Sequence, residues 1–351
     1  RECSMPAGVF FEKHEKVLAF VKWPIHKAAL LVGLPLAFLW PLIFPSDYLL
    51  RVAIWVIVWS LAAAGFNLLF GLTGQISLAQ GAFMALGAFT SIQLAAVGLH
   101  PLLAIPAAGV LVSGVGLVFG LPSLRLKELY LLISTLAAQF FFDWFLRTEQ
   151  MAWFTGGAYA KYAPPLNLGP LDLSYGYPLY VTVAVIAAIH FLALANLSRS
   201  YIGRALKAVR DRDIAAEIIG VDVFKYKLLA FVVSTYMAAV AGGLWAFALR
   251  SVSVESFTFL TSLEVLAAVL IGGVGRVVWG SLLGSLFVVG VPEAIKNALA
   301  LMGLRGIDIA LRDVVFGALI LTFLLLEPLG LVELLRKVKE RIRLFPFRYF
   351  G

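Results

Sequence analysis

Ser198–Lys227, SRSYIGRALKAVRDRDIAAEIIGVDVFKYK, carries seven Lys/Arg and four Asp/Glu in thirty residues, between apolar runs long enough to cross a bilayer. Basic residues alone would suit contact with anionic lipid. Asp211, Asp213, Glu217 and Asp222 do not fit that reading, whereas a surface for docking a folded partner accommodates both signs of charge. Ile202, Ala205, Leu206 and Val209 follow helical spacing, with Arg204, Lys207 and Arg210 around them. Asp211 or Asp213 can cap a second short helix over 214–219, and Gly220 is placed to end it. The expected product is a helix–turn–helix elbow.

The other candidate residues lie within apolar segments. Gly71–Phe89, GLTGQISLAQGAFMALGAF, mixes Gly71, Gly74, Gly81 and Gly87 with Gln75, Ser77 and Gln80. Ile271–Gly284 holds Gly272, Gly273, Gly275, Gly280 and Gly284. Glycine weakens helices, and irregular backbone at membrane depth is tolerated only where protein or a wet cavity surrounds it. Gln75, Ser77 and Gln80, with Gly71, Gly74, Gly272 and Gly273, are therefore candidates for lining a solute path. Close helix packing is the competing reading for Gly116–Gly120 and Gly280–Gly284.

Glu264 is a carboxylate inside a span with no basic neighbour at helical spacing, which marks it as a functional candidate. Asp143–Arg147 and Asp308–Arg312 read as local helix pairs, Arg51 as a snorkelling side chain, and His190 as a packed core histidine. No His/Asp/Glu cluster has metal-ligand or catalytic spacing, and no GxxxxGK[ST] phosphate loop occurs. The chain is thus expected to be no enzyme, with no catalytic or metal residues and no cofactor of its own. If ATP drives it, ATP and Mg belong to another polypeptide.

The elements that must hold these residues are membrane helices. Hydrophobic residues make up 62% of the 351 and charged residues only 14%, with mean hydropathy +0.95, far from soluble composition. A bilayer core needs about 20 apolar residues per helix. Ten spans are expected near 28–45, 49–70, 81–98, 102–120, 128–146, 178–196, 226–249, 258–275, 277–296 and 312–327, the ninth being weakest because of Pro292, Glu293 and Lys296. The class is an all-α polytopic bundle with glycine-broken segments.

Ten spans put Lys13, Lys16, Lys22, Lys27, Arg125, Lys127, the elbow and the tail from Arg336 to Arg348 on one side, cytoplasmic by the positive-inside rule. The organisation expected is a cytoplasmic segment over 1–27, a transmembrane domain over 28–327 and a basic cytoplasmic tail over 328–351. Within the transmembrane domain, 198–227 is cytoplasmic and 147–177 external. Residues 1–27 are too polar for a cleavable signal peptide. The net charge of +8 sits where topology demands it, so nucleic acid is not an expected partner. The single cysteine, Cys3, excludes an internal disulfide.

Gly203–Phe231, GRALKAVRDRDIAAEIIGVDVFKYKLLAF, resembles the coupling loop of branched-chain amino acid permeases of ABC importers. The resemblance continues through Asn67–Phe89, LPSLRLKELYLLISTL (Leu121–Leu136), FTGG (Phe154–Gly157), AGGLWAF (Ala241–Phe247), VSVESFTFLTSLEVL (Val252–Leu266), IGGVG (Ile271–Gly275) and EPLGL (Glu327–Leu331). These patches keep the family's order over most of 50–331. Of its two related permeases, the N-terminal extension and the external Thr-Gly-Gly resemble the LivM type. Many relatives follow Thr-Gly-Gly with Asn-Gly, where this chain has Ala158-Tyr159-Ala160.

The resemblance implies an importer in a bacterial or archaeal plasma membrane. Its partners would be two cytoplasmic ATPases, a second permease, an extracytoplasmic solute-binding protein and membrane lipids. Gly203, Arg204, Ala205, Ala216, Glu217 and Gly220 would form the ATPase-coupling element, with branched-chain or other hydrophobic amino acids as solutes. Urea or short amides handled by the same machinery, and an ion-coupled carrier using Glu264, are the alternatives.

Overall fold

The computed structural model describes residues 46–123, 128–157, 159–168, 171–301 and 330–344, with isolated positions between 314 and 325. Expectations for spans 28–45 and 312–327, the 1–27 segment and the Asp308–Arg312 pair fall wholly or mostly outside them. The eight other expected spans are all helical: α1 (Asp47–Thr73), α2 (Gln80–Ala96), α3 (Pro101–Ser123), α4 (Glu128–Arg147), α5 (Gly176–Arg199), then α8 (Val223–Leu249), α9 (Phe259–Gly272) and α10 (Trp279–Leu301). Between α5 and α8 lie α6 (Tyr201–Asp211) and α7 (Asp213–Ile218), and α11 (Leu331–Leu344) follows. Among the described residues five helical segments are long and apolar enough to cross a membrane: 47–73, 101–121, 176–199, 223–249 and 254–272.

Burial separates inner from outer helices. The most apolar windows of α1 and α8 are 72% and 67% buried inside the protein, against 33% for α3 and α5. The outer pair keeps Val110, Leu111, Val118, Val185, Ile189 and Leu192 exposed, as side chains against lipid tails would be. Lipid supplies no hydrophobic drive for one helix to seek another, so close approach through small residues has to do it. In α1 the run Leu61-Ala-Ala-Ala-Gly-Phe66 is wholly buried, and α8 packs against α1, α2 and α3.

α8 crosses α2 where a Cβ on Gly242 would fall on the Met84 carbonyl. Overpacking of this kind costs about 1–3 kcal/mol. Gly242→Ala should therefore lower the thermal midpoint of the detergent-solubilised protein by several degrees. Gly114→Ala, with no atom within 4 Å of the added carbon, should leave it within a degree.

The packing reading holds at both glycine pairs. Gly280 and Gly284 meet the backbone of Gly272, Gly273 and Ala268 across the α9–α10 crossing, and Gly116 and Gly120 meet Thr235 and Phe231. α10 runs through Pro292 to Leu301. Near its end Tyr48 Oη donates to Glu293 Oε2 at 2.6 Å, and Lys296 pairs with Glu293 at 3.7 Å. Glu293, one of the residues that weakened the ninth span as a prediction, thus ties its end to α1. Arg147 pairs with Asp143 at 3.1 Å, and exposed Arg51 bonds the Asp47 carbonyl. His190 bonds Ile186 O at 2.8 Å and Tyr236 Oη at 3.0 Å, a satisfied packing histidine.

At the end of the bundle opposite α6 and α7, β1 (Lys161–Tyr162) pairs antiparallel with β4 (Ser251–Val252), and β2 (Asn167–Leu168) with β3 (Leu171–Asp172). Lys161 straps this loop to α2, its Nζ donating to Gln93 Oε1 and the Phe154 carbonyl, each at 2.6 Å. Burial pushes its ammonium below the usual lysine range.

Candidate functional site

The elbow forms as two short helices with different faces. α6 is capped by Ser200, whose Oγ accepts from Gly203 N, and it buries Gly203, Leu206 and Val209 against α1, α5 and α8. Gly203 fills the α5–α6 corner, where a Cβ would run into the Ser198 and Leu197 carbonyls. It faces the bundle, while Arg204 is exposed and Ala205 half-buried.

α7 projects beyond this corner. Neither Asp211 nor Asp213 caps it from outside: Asp211 ends α6, Arg212 is the N-cap without a side-chain bond, and Asp213 is the first helical residue. Its Oδ1 accepts from Ile214 N at 2.9 Å, and its other oxygen pairs with Lys227 at 3.6 Å. A carboxylate in the first turn still suits the positive end of the helix, so the shift is by one position. Gly220 ends the helix as expected, at φ 89° with its N–H on Glu217 O at 2.9 Å.

Asp222 caps α8 through Lys225 N at 3.1 Å and pairs with the Lys225 ammonium at 2.8 Å. These bonds hold its carboxyl below the usual aspartate range. Ala216 is buried and Glu217 exposed. Three isoleucines that the sequence reading passed over stand out at the tip, with Ile214 72%, Ile218 81% and Ile219 75% exposed. An apolar tip ringed by charge, on a projection rather than along the lipid-facing helices, is the form of a docking knob.

The first helix break lies between Thr73 and Gln80. Ala79, at the N-cap of α2, has no side-chain oxygen to offer, yet the leading N–H groups need acceptors where water is absent. Other helices supply them. Leu78 N donates to Thr135 Oγ1 at 3.1 Å, Gly81 N to Ser262 Oγ at 2.8 Å and Ala82 N to Gln139 Oε1 at 2.8 Å. Gln80 Nε2 donates to Ser234 Oγ at 3.1 Å, about 17 Å along α8 from its elbow end.

Gln75, Ser77 and Gln80 are each buried, at most 3% exposed. In this conformation they sit among the chain's own helices, and Gln80 Oε1 has no partner among the described residues. Glu264, partly exposed, lies two residues beyond Ser262 on α9.

The second break, 273–278, follows the early end of α9 at Gly272, short of the expected 275. Gly273 and Gly275 adopt φ 121° and 83° there, angles that favour glycine. Asn67 of α1 holds this turn with every donor and acceptor of its amide. Its Oδ1 accepts from Gly275 N at 2.8 Å, and its Nδ2 lies 3.3 Å from Gly273 O, Arg276 O and Ser281 Oγ. Gly71 is pressed against Asn67 and Gly275, and Gly330, just before α11, packs against Gly273. The end of α1, the α9–α10 turn and the start of α11 therefore meet at one glycine junction, at the same end of the bundle as the elbow.

An all-helical bundle with two interior helix breaks and a charged elbow defines a polytopic helical membrane protein. A family model described as branched-chain amino acid transport system / permease component matches residues 48–324. The chain belongs to that family. It is 31% identical over 281 residues to the high-affinity branched-chain amino acid transport system permease protein LivM of Escherichia coli (strain K12), covering 73% of this chain and 64% of the relative.

The corresponding LivH of Salmonella typhimurium is 27% identical over 295 residues, covering 78% and 91%. A probable LivH of Methanocaldococcus jannaschii is 28% identical over 249 residues, covering 67% and 76%. The match spans a little under two thirds of the LivM relative's length. No solved structure matches.

Proposed function

We propose that the chain is the membrane-spanning permease subunit of an ATP-driven importer for branched-chain or other hydrophobic amino acids, with α6 and α7 as the element on which a separate ATPase pushes. The observation that carries this reading is the exposed isoleucine tip of α7, seated on α6, which is itself packed onto the bundle. Family membership and the permease titles of LivM and LivH support the class of solute. A second permease, two ATPases and an extracytoplasmic binding protein complete the assembly. ATP and Mg are held by the ATPases.

The elbow faces the cytoplasm in this reading, with both termini. The meeting of the α11 start and the elbow at one junction supports a common side for them. Gln75, Ser77 and Gln80 at the first break would be uncovered as the helices rock. An ion-coupled carrier centred on Glu264 would work without partners and would leave the isoleucine tip without a use.

Co-purification with the ATPases, followed by uptake of labelled leucine into proteoliposomes, tests the proposal. The wild-type complex should import leucine only with ATP. Glu217→Ala, at an exposed position on α7, should weaken ATPase association several-fold. Uptake by the permease chain without ATPases would overturn the reading.

A further inference from the structure

We infer that Arg210 is the positioning residue through which movement of the elbow reaches the helix breaks. The inference rests on the docking reading above and goes beyond it by naming the link. Arg210 stands in the last turn of α6, beside Asp211 and near Asp213, yet it forms no ion pair among the described residues. Its Nη1 instead donates to the Gly71 carbonyl at 2.6 Å. That carbonyl is one of the last four of α1, which lack partners within their own helix and carry the negative end of its dipole. A guanidinium is suited to this place because its charge is permanent and its donors are fixed in a plane.

The same side chain passes the first break, its Cγ 3.8 Å from where a Cβ on Gly74 would stand. Its Nη1 is 3.2 Å from the equivalent point on Gly275. One guanidinium therefore bonds the end of α1, which leads into α2, and lies beside the turn that joins α9 to α10. Asn67 binds these two pieces to each other, so a pull on either moves both.

The other side chains that α6 buries against the bundle, Leu206 and Val209, are apolar, and such contacts carry no direction. The bond to Gly71 does. Arg210 as a whole stays exposed, so the bond can be broken and remade as α6 tilts. When the ATPases draw the elbow, Arg210 carries the end of α1 and the 273–276 turn along, or releases them.

The test uses the complete transporter in proteoliposomes, scoring leucine imported per ATP hydrolysed. Arg210→Gln should assemble with the ATPases yet move at least 10-fold fewer leucines per ATP. Arg210→Lys, which keeps the charge and a donor one bond shorter, should recover part of the ratio. An unchanged ratio in Arg210→Gln would overturn the inference. So would loss of ATPase association, which would make Arg210 part of the docking surface. A parallel fall in hydrolysis and uptake with reduced folded yield would overturn it as well, since a merely structural residue would behave that way. If the wild-type complex itself shows no ATP-dependent uptake, the docking reading has failed first, and that outcome is distinct from all of these.

Discussion

Replacing Ile214 and Ile218 together by aspartate should abolish co-purification of the ATPases while leaving the permease folded in the membrane. Both side chains are largely exposed. Burying one isoleucine in a partner's groove contributes about 1.5–3 kcal/mol, so the pair accounts for about 3–6 kcal/mol, or roughly 100-fold to 10,000-fold in affinity. Aspartate adds the expense of placing charge in an apolar pocket. Pull-down of the tagged permease reads association, and size-exclusion chromatography in detergent reads folding. Retained ATPases at wild-type stoichiometry would remove the isoleucine tip from the account.

Asn67→Leu should be among the most damaging changes inside the bundle. It strands Gly275 N–H and withdraws the donor shared by Gly273 O, Arg276 O and Ser281 Oγ. A buried backbone group left without a partner costs about 1–3 kcal/mol, and Gly275 N–H is left so, whereas the Gly273 and Arg276 carbonyls keep the Arg276 and Gly280 N–H groups. The expected loss is about 1–3 kcal/mol, reduced where membrane helices find substitute partners. Asn67→Asp should be worse still, because a carboxylate can accept from Gly275 but places charge against two carbonyl oxygens. Unfolding by SDS titration in mixed micelles orders the three proteins, and the account predicts wild type above Leu above Asp. Indistinguishable midpoints would mean that the α9–α10 turn does not depend on Asn67.

Much of this architecture was legible in the chain, because membrane helices announce themselves by local composition. All eight expected spans within the described residues are helices, and the elbow's division into two short helices followed from the spacing of Leu206, Val209 and Gly220. The failures were tertiary. Hydropathy and periodicity report what each residue's own segment prefers, whereas Asn67 acts on residues 206 to 214 positions away. Its one legible signal was a lone amide in an otherwise apolar run.

Gln75, Ser77 and Gln80 read as path-lining because they are polar among glycines; in this conformation all three are buried, and Gln80 bonds Ser234 of α8. The caps that replace an absent local one, Thr135, Gln139 and Ser262, come from α4 and α9 and leave no mark beside Gln80. Arg210 looked like one more surface charge, since spacing on α6 cannot show that a helix end from elsewhere lies within its reach.

The most direct measurement labels the tip itself. On a Cys3→Ser background, which removes the single native cysteine, Ile218→Cys should react with a membrane-impermeant thiol reagent only in inside-out vesicles. Docked ATPases should protect it, and a bifunctional thiol- and amine-reactive reagent should cross-link it to them. Labelling from the outside of intact cells, or a reactivity that the ATPases leave unchanged, would contradict the account.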